Sequence, residues 1–321
     1  MKQLRVILLP VETLFDPWCT DVVDAMGDRH TLSILRPDEP LEPQFNGVDV
    51  VVDHGGRIGT HAMMDAAAGA TLWQIMSIGC EHVDVDYIRS RIRYVANVPG
   101  TTSAASLAQT AMMFMLMLAH RALECRDNFH RAHWLEPCGT ELEGKTLGIV
   151  GLGNSGRRLA ALAAALEMRV LGAARTPPSA EQCRALGIAA THSIEALDDM
   201  LPECDFVSMH LALNDETRHV LNRDRIALMK PEARLINTAR GGLVDEQALY
   251  EALIAGRLGG AGLDVFEPEP PDVDHPVFAL RNVVVTPHIA AYTDGSSRKR
   301  AECVARNIDC VATGQTPSYL L

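Results

Sequence analysis

A glycine-rich turn constrains the fold of this chain more than any other stretch of its sequence. The residues GLGNSG at 151–156 follow a short apolar run at 147–150 and precede an alanine- and leucine-rich helical pattern at 157–166. Strand, glycine turn and helix in that order are the setting in which a GxGxxG pattern binds a dinucleotide. The sequence therefore predicts a Rossmann unit that begins near residue 146.

Each residue of the turn has a predicted role in holding a dinucleotide. Gly151 is expected to permit the tight turn, and Gly153 to let the backbone approach a pyrophosphate. Gly156 is expected to let the helix pack close to the strand. The first N–H groups of the helix, near Asn154 and Ser155, are expected to face the phosphates.

Composition and charge narrow the classes of partner. The chain carries 29 basic and 41 acidic residues, a net charge of −12, and has no basic run, so neither nucleic acid nor a membrane surface is expected as a partner. Its eight cysteines include no CxxC pair, which favours reduced thiols and a cytoplasmic location. The most apolar segment, 104–119, carries Gln109 and falls short of a membrane span, so we expect a buried helix there.

Alternating strand and helix patterns predict an α/β fold with two doubly wound parallel-sheet domains. Strands are expected at 5–9, 31–35, 48–52 and 72–77, with helices at 16–26 and 60–68. A long helix is expected at 103–123, after Pro99-Gly100. We predict a Rossmann dinucleotide-binding domain at 99–290, inserted into a flavodoxin-like substrate domain formed by 1–98 and 291–321.

Three charged side chains follow predicted strands of the second unit. Arg240, Glu269 and His288 would lie at the carboxyl ends of these strands, where open α/β sheets bind ligands. An arginine can hold a carboxylate through a bidentate fork, and a histidine oriented by an acid can protonate a carbonyl oxygen. Each residue alone has a structural alternative, as a turn charge, a solvated acid or a buried histidine, but together they favour reduction of a 2-keto acid.

Two further features are weaker. Arg57, in the loop after a first-unit strand, could meet an anionic substrate, but a solvated arginine explains it at least as well. His130 and His133 could share a helical face, but no third ligand is in view, so no metal site is expected.

Several longer motifs, in this order along nearly the whole chain, resemble the D-isomer-specific 2-hydroxyacid dehydrogenase family. That family includes glyoxylate/hydroxypyruvate reductases and phosphoglycerate dehydrogenases. The motifs are GCEHVD at 79–84, NVPG at 97–100, ELEGKTLGIVGLG at 141–153, NTARG at 237–241 with Val244-Asp245, GLDVFE at 262–267 and TPHI at 286–289.

The resemblance implies roles for individual residues. It makes Arg240 the substrate-binding arginine, Glu269 the acid partner and His288 the general acid/base. It implies that the amides of a loop in the first domain hold the substrate carboxylate, and that family members form homodimers around 101–140. The loop residues are Ser77, Ile78 and Gly79; the further cofactor contacts are His210, Leu211, Ala212, Thr217, Thr238, Ala239, Asp264 and Ala290.

The end of the second Rossmann strand bears on which dinucleotide binds. The position at which the family usually has an acid is Ala174, followed by Arg175 and Thr176. An acid there would bind the ribose 2′-hydroxyl and repel a 2′-phosphate, whereas Ala, Arg and Thr leave room, charge and a hydroxyl for it. We therefore expect NADP to be preferred, with NAD possible if Arg175 only stacks on the adenine. Ala212, in place of a frequent proline, could widen the same pocket.

The sequence thus favours an NADP-preferring reductase of a small 2-keto acid, with glyoxylate or hydroxypyruvate as the expected substrates. One alternative is a phosphoglycerate dehydrogenase-like enzyme, which is less favoured because the length leaves no room for a C-terminal regulatory domain. Another is a dinucleotide-sensing protein similar to the corepressors that share this fold. Turnover of a keto-acid panel would separate enzyme from sensor.

Overall fold

The computed structural model describes residues 1–11, 16–54, 59–80 and 83–321. The strands are β1 (Arg5–Leu9), β2 (Thr31–Ile34), β3 (Val50–Asp53), β4 (Leu72–Ile75), β5 (Tyr94–Ala96), β6 (Thr146–Val150), β7 (Arg169–Ala173), β8 (Ile188–His192), β9 (Phe206–Met209), β10 (Arg234–Asn237), β11 (Gly260–Leu263) and β12 (Val283–Val285). The helices are α1 (Trp18–Met26), α2 (Leu41–Phe45), α3 (His61–Ala66), α4 (Val85–Arg89), α5 (Ala104–Ala119), α6 (Ala122–His130), α7 (Asn154–Ala165), α8 (Ala180–Leu186), α9 (Leu197–Met200), α10 (Arg223–Leu228), α11 (Glu246–Ile254) and α12 (Asp294–Ala312).

The chain divides into two compact units. The first unit comprises Met1–Thr102 and Tyr292–Leu321, and the second comprises Ser103–Ala291. Each unit is an α/β layer structure around one parallel sheet, which confirms the predicted fold class. The second unit lies between the two segments of the first in sequence, as an inserted domain does.

The first unit has a five-stranded sheet in the order β2-β1-β3-β4-β5. Its central strands β3 and β4 are buried throughout, as parallel strands covered on both faces must be. Alternate residues of β3 supply two separate cores: Val52 packs with α1 and α12 on one face, and Val51 packs with Trp73 on the other. The C-terminal segment forms α12, which belongs to this unit.

The second unit has a seven-stranded sheet in the order β12-β11-β10-β9-β6-β7-β8. All five residues of β6 are buried, which accounts for the uninterrupted apolar run before the glycine turn. Asn237 of β10 pairs with Leu263 of β11, and Leu263 pairs with Val285 of β12. Because these partners are the last residues of their strands, the segments that follow begin side by side.

The sequence prediction was wrong about one helix. A single helix was expected at 103–123, but α5 ends at Ala119 and α6 begins at Ala122. Arg121 between them has a left-handed backbone with φ 52°, which interrupts the α-helical hydrogen-bond ladder. Gln109 lies within α5. The short elements α2, α4 and β5 were not predicted.

Within the described ranges, no helix combines the length and the apolar character that crossing a bilayer requires. All eight cysteines lie in the described ranges, and no disulfide bond joins any two of them.

Candidate active site

The glycine turn of the second unit has the geometry that its sequence predicts. Gly151 has φ 107°, and a Cβ there would lie 2.6 Å from the carbonyl carbon of His210. A Cβ on Gly156 would lie 2.0 Å from the oxygen of Gly151, whereas one on Gly153 would meet nothing within 4 Å. Two glycines are therefore needed for packing, and the third leaves open space beside the start of α7 at Asn154.

His210 fixes the other side of this turn. Its Nδ1 lies 3.0 Å from Ser155 Oγ, and its Nε2 lies 2.9 Å from Ser208 Oγ. Burial lowers the pKa of His210 to about 4, so the ring is neutral at physiological pH and its two nitrogens have different donor and acceptor roles. Ser208, on β9, was not identified from the sequence.

Ala174, Arg175 and Thr176 follow β7 at the same edge of the sheet. Ala174 is buried, while Arg175 and Thr176 are exposed. Arg175 Nη1 lies 3.4 Å from the carboxylate of Glu216, and both side chains are about four-fifths exposed, at 82% and 78%. An exposed pair of this kind is weak, so the guanidinium can be drawn to a stronger anion.

Two side chains hold the loop after β9. Thr217 Oγ1 donates a 2.7 Å hydrogen bond to the carbonyl oxygen of Ala212. Asn214 Oδ1 accepts from the Thr217 amide at 3.0 Å. Leu211 packs against the buried core of the unit. The predicted contacts at Leu211, Ala212 and Thr217 therefore lie on one ordered loop.

The turn after β10 presents Arg240. The side chain of Asn237 holds this turn from within: its Nδ2 donates to the Arg240 oxygen at 2.8 Å, and its Oδ1 accepts from the Ala239 amide at 3.1 Å. Arg240 Nη1 donates to the Ala239 oxygen at 2.7 Å. Asn237 was not identified as a functional residue, although it is the first residue of the NTARG motif at 237–241.

Thr238, in the same turn, is buried, and its hydroxyl has no hydrogen-bond partner in the described part of the protein. A buried hydroxyl left without a partner marks a place where a ligand can supply one.

His288 and Glu269 form an ion-pair geometry. His288 Nδ1 lies 2.7 Å from Glu269 Oε2, and Glu269 Oε1 accepts a 3.0 Å hydrogen bond from the Phe266 amide. One oxygen of the carboxylate is thus held by the Phe266 amide, and the other oxygen faces the imidazole. His288 Nε2 has no hydrogen-bond partner among the described residues, so it is the ring nitrogen available for chemistry.

Asp264 holds the segment that carries His288. Its Oδ1 accepts from Thr286 Oγ1 at 2.5 Å and from the Ile289 amide at 2.8 Å, and its Oδ2 accepts from the Ala290 amide at 2.8 Å. Burial raises the pKa of Asp264 despite these hydrogen bonds. His288 adopts φ 55°, a left-handed conformation that a non-glycine residue keeps only when its surroundings fix it.

Glu246, on α11, was missed by the sequence prediction. Its Oε1 accepts from the Glu267 amide at 2.9 Å, and its Oε2 accepts from the Tyr250 hydroxyl at 3.1 Å. Burial, together with the charges of Glu267 and Glu269, raises the pKa of Glu246 to about 7. Glu246 therefore anchors the segment that leads to Glu269. The only sequence signal was its place directly after Val244-Asp245.

In the first unit, Ser77, Ile78 and Gly79 form a loop after β4 whose carbonyl groups are tied down. Ser77 Oγ donates to the Gly79 oxygen at 2.8 Å, and Asn97 Nδ2 donates to the Ile78 oxygen at 2.8 Å. In the described ranges, the amides of Ile78 and Gly79 donate no hydrogen bond, so they remain available to an acceptor. Arg57, the other predicted substrate contact, lies outside the described residues.

His130 is the last residue of α6, and His133 lies beyond the end of that helix, so the two do not share a helical face. Among the residues that the structure describes, no group of three or more histidine, cysteine, aspartate or glutamate side chains could hold a metal ion.

Comparison with known proteins identifies the family. The family model for the NAD binding domain of the D-isomer specific 2-hydroxyacid dehydrogenases matches residues 112–290, over half of the chain. A hydroxypyruvate reductase from Thermotoga maritima is 36% identical over 292 residues, which cover 88% of this chain and 92% of that protein. This chain belongs to the D-isomer specific 2-hydroxyacid dehydrogenase family. It is therefore an NAD(P)-dependent oxidoreductase by family.

Other members of the family are similar over much of their length. A glyoxylate reductase from Thermococcus litoralis is 39% identical over 256 residues, covering 76% of this chain and 75% of that protein. A D-3-phosphoglycerate dehydrogenase from Methanocaldococcus jannaschii is 34% identical over 299 residues, but this chain spans only 55% of its length. The crystal structure of the TT0316 protein from Thermus thermophilus superimposes with a TM-score of 0.81 at 32% identity, covering 99% of both chains.

The residues of this family member fit the dinucleotide for which its domain is named. Gly153 leaves open space at the start of α7, and the Thr238 hydroxyl lacks a partner in the described part of the chain. With His288 and Arg240 they follow strands β6, β10 and β12 on one edge of the sheet. The sequence-predicted residues of the second unit thus follow the carboxyl ends of strands in a single sheet.

Proposed function

We propose that this member of the family reduces a small 2-keto acid, with glyoxylate or hydroxypyruvate as the best candidates, and that it prefers NADPH to NADH. The observation that carries the proposal is the 2.7 Å contact between His288 Nδ1 and the Glu269 carboxylate. Arg240 belongs to the same unit, so this unit would supply both a proton donor and a carboxylate anchor. Relatives named as glyoxylate and hydroxypyruvate reductases support the choice of substrates.

In the proposed mechanism, His288 is the general acid for reduction and the general base for oxidation. Glu269 accepts the Nδ1–H hydrogen bond, which orients the ring and stabilises the imidazolium. Nε2 then carries the proton that passes to the carbonyl oxygen. When bound, the reduced nicotinamide supplies the hydride. The Asp264 hydrogen bonds to Ile289 and Ala290 keep the imidazole in place while its charge changes.

The substrate carboxylate is assigned to two kinds of donor. Arg240 offers a guanidinium fork, whose planar pair of N–H groups matches a carboxylate. The first-unit loop offers the amides of Ile78 and Gly79, whose carbonyl groups are held by other residues. A 2-keto acid held by its carboxylate presents its carbonyl group in a fixed orientation, which is the positioning that hydride transfer requires.

The proposed preference for NADPH depends on the end of β7. Ala174 offers no carboxylate to bind a ribose 2′-hydroxyl, and Arg175 offers a guanidinium whose ion pair is with the exposed Glu216. A phosphate carries more charge than a carboxylate, so the guanidinium gains by exchanging Glu216 for the 2′-phosphate. Thr176 adds a hydroxyl donor at the same place.

The proposal includes a homodimer formed around residues 101–140. Five large apolar side chains are exposed there, and the three most exposed are Phe129, Trp134 and Leu135. The Phe129 and Trp134 rings meet edge to face at 5.9 Å, so they form a patch rather than isolated side chains.

The proposed activity is tested by following NADPH and NADH oxidation with glyoxylate, hydroxypyruvate, pyruvate and 3-phosphohydroxypyruvate. Turnover of the first two with NADPH is the expected result. Preference for 3-phosphohydroxypyruvate would instead favour the phosphoglycerate dehydrogenase-like alternative. Tight NADPH binding with no turnover of any keto acid would favour a dinucleotide sensor and contradict the proposal.

A further inference from the structure

A buried arginine lies behind the substrate loop of the first unit. Arg300, on α12, is only 7% exposed, yet no carboxylate in the described ranges forms an ion pair with it. Its guanidinium carbon lies 4.8 Å from the Trp18 ring, and its Nη1 donates to the Met76 oxygen at 3.3 Å. Its Nε is buried and has no hydrogen-bond partner in the described part of the chain.

Three aromatic side chains lie near Arg300, namely Trp18, His54 and Tyr292. Trp18 also contacts Tyr292, with ring centroids 5.0 Å apart, and His54, with centroids 6.0 Å apart. Burial, with the positive charge of Arg300, lowers the pKa of His54 to about 4. Burial also lowers the pKa of Arg300 to about 10, which still leaves it charged. An uncompensated buried charge destabilises a fold unless something else uses it.

The position of the charge indicates its use. Met76 precedes Ser77, so the Met76 carbonyl that accepts from Arg300 and the Ser77 N–H belong to one peptide group. A cationic donor on the oxygen polarises that group and places positive charge at the start of the loop that continues with Ile78 and Gly79. The next carbonyls along the loop, those of Ser77 and Ile78, accept from the Val98 amide and from Asn97 Nδ2.

We propose that Arg300 is a positioning residue for substrate binding, which holds the Met76 carbonyl and places an unneutralised positive charge behind the amides of Ile78 and Gly79. The inference rests on the proposed function, because the anion that balances this charge is the carboxylate of the keto acid. A neutral donor would hold the carbonyl equally well. The positive charge of the arginine is what distinguishes it from a neutral donor, and this charge strengthens the binding of anions to the loop.

The test compares the full-length wild type with Arg300→Met, Arg300→Lys and a matched control, Arg306→Met, which removes an exposed arginine from the same helix. Binding of oxalate, a dianion that resembles a 2-keto acid, is measured by calorimetry with saturating NADPH. The melting temperature of each variant is measured without ligand, and kcat and KM are measured with glyoxylate.

The methionine variant should bind oxalate about tenfold more weakly and raise KM by a similar factor, with kcat and NADPH affinity little changed. Its melting temperature should stay the same or rise, because a buried unpaired charge is gone. Arg300→Lys should recover most of the oxalate affinity, and Arg306→Met should match the wild type.

Two results would overturn the role of Arg300. One is unchanged oxalate affinity in Arg300→Met. The other is weaker binding that accompanies a lower melting temperature and is not rescued by lysine, which would show a purely structural arginine. If the wild type turns over no keto acid while oxalate binding still depends on Arg300, the proposed function fails and the anion-binding role stands. If the wild type turns over keto acids normally while oxalate binding does not depend on Arg300, the proposed function stands and the anion-binding role of Arg300 fails.

Discussion

The two units hold charged side chains near the carboxyl ends of their strands in contrasting environments. In the second unit, His288 is paired with Glu269, and the Asp264 carboxylate accepts three hydrogen bonds. In the first unit, Arg300 is buried against Trp18 and a carbonyl oxygen, with no acid paired to it in the described residues. A side chain held by an ion pair has a fixed orientation, which suits proton transfer. A buried charge with no paired acid attracts an anion instead. The paired histidine therefore suits proton transfer, and the buried arginine suits substrate binding.

The largest effect is expected from His288→Ala, which removes the proposed proton donor. Turnover of glyoxylate should fall about a thousandfold, because proton transfer to the carbonyl oxygen loses its general acid. NADPH affinity, measured by fluorescence titration, should stay near the wild-type value, since the imidazole of His288 is not among the predicted cofactor contacts. Substantial activity in this variant would contradict the assignment of His288 as the proton donor.

Glu269→Gln keeps the shape of the side chain and removes its charge. Turnover should fall about a hundredfold, because an amide stabilises the imidazolium less than a carboxylate does. The change should appear in kcat with glyoxylate while KM stays close to normal, since the carboxylate anchor is untouched. A rise in KM alone would mean that Glu269 serves binding and not proton transfer.

Ala174→Asp tests the cofactor pocket, where charge again decides which anion is accepted. The introduced carboxylate should repel a 2′-phosphate and bind a ribose 2′-hydroxyl, shifting the ratio of kcat/KM for NADPH over NADH by at least about tenfold toward NADH. Steady-state rates with both cofactors and one keto acid measure the ratio. An unchanged ratio would show that the residues after β7 do not discriminate between NADPH and NADH.

The smallest effect concerns the stability of the second unit. The pKa of Glu246 is raised from 4.5 to about 7, so the folded chain keeps a proton that the unfolded chain releases. Stability should therefore fall as pH rises from about 4.5 to 7. Glu246→Gln should flatten this dependence and gain about 1 kcal/mol at pH 8, allowing for partial exposure of the group. Melting curves between pH 5 and 8 provide the measurement, and parallel curves for the two proteins would contradict the assignment.

The sequence predicted the second unit well because its signals are local. Each site residue directly follows an apolar run, and parallel strands bring such positions to one edge. For the same reason, the apolar run at 147–150 lies within β6, and the helical pattern at 157–166 overlaps most of α7.

What the sequence could not predict depends on tertiary packing. The polar stretch that contains Arg298, Lys299 and Arg300 does not show which cation faces the interior of α12. The raised pKa of Glu246 likewise arises from burial and from Glu267 and Glu269, which reach it only through the fold. The break at Arg121 has no glycine or proline that would indicate it in the sequence.

The central claim is that the paired histidine and the anion-binding groups together direct D-specific reduction of a keto acid. The most direct test is the chirality of the product that the wild type forms from hydroxypyruvate with NADPH, determined by chiral chromatography. The account predicts D-glycerate as the sole enantiomer, with one molecule formed for each NADPH oxidised. L-glycerate, a racemic product, or oxidation of NADPH without glycerate would contradict it.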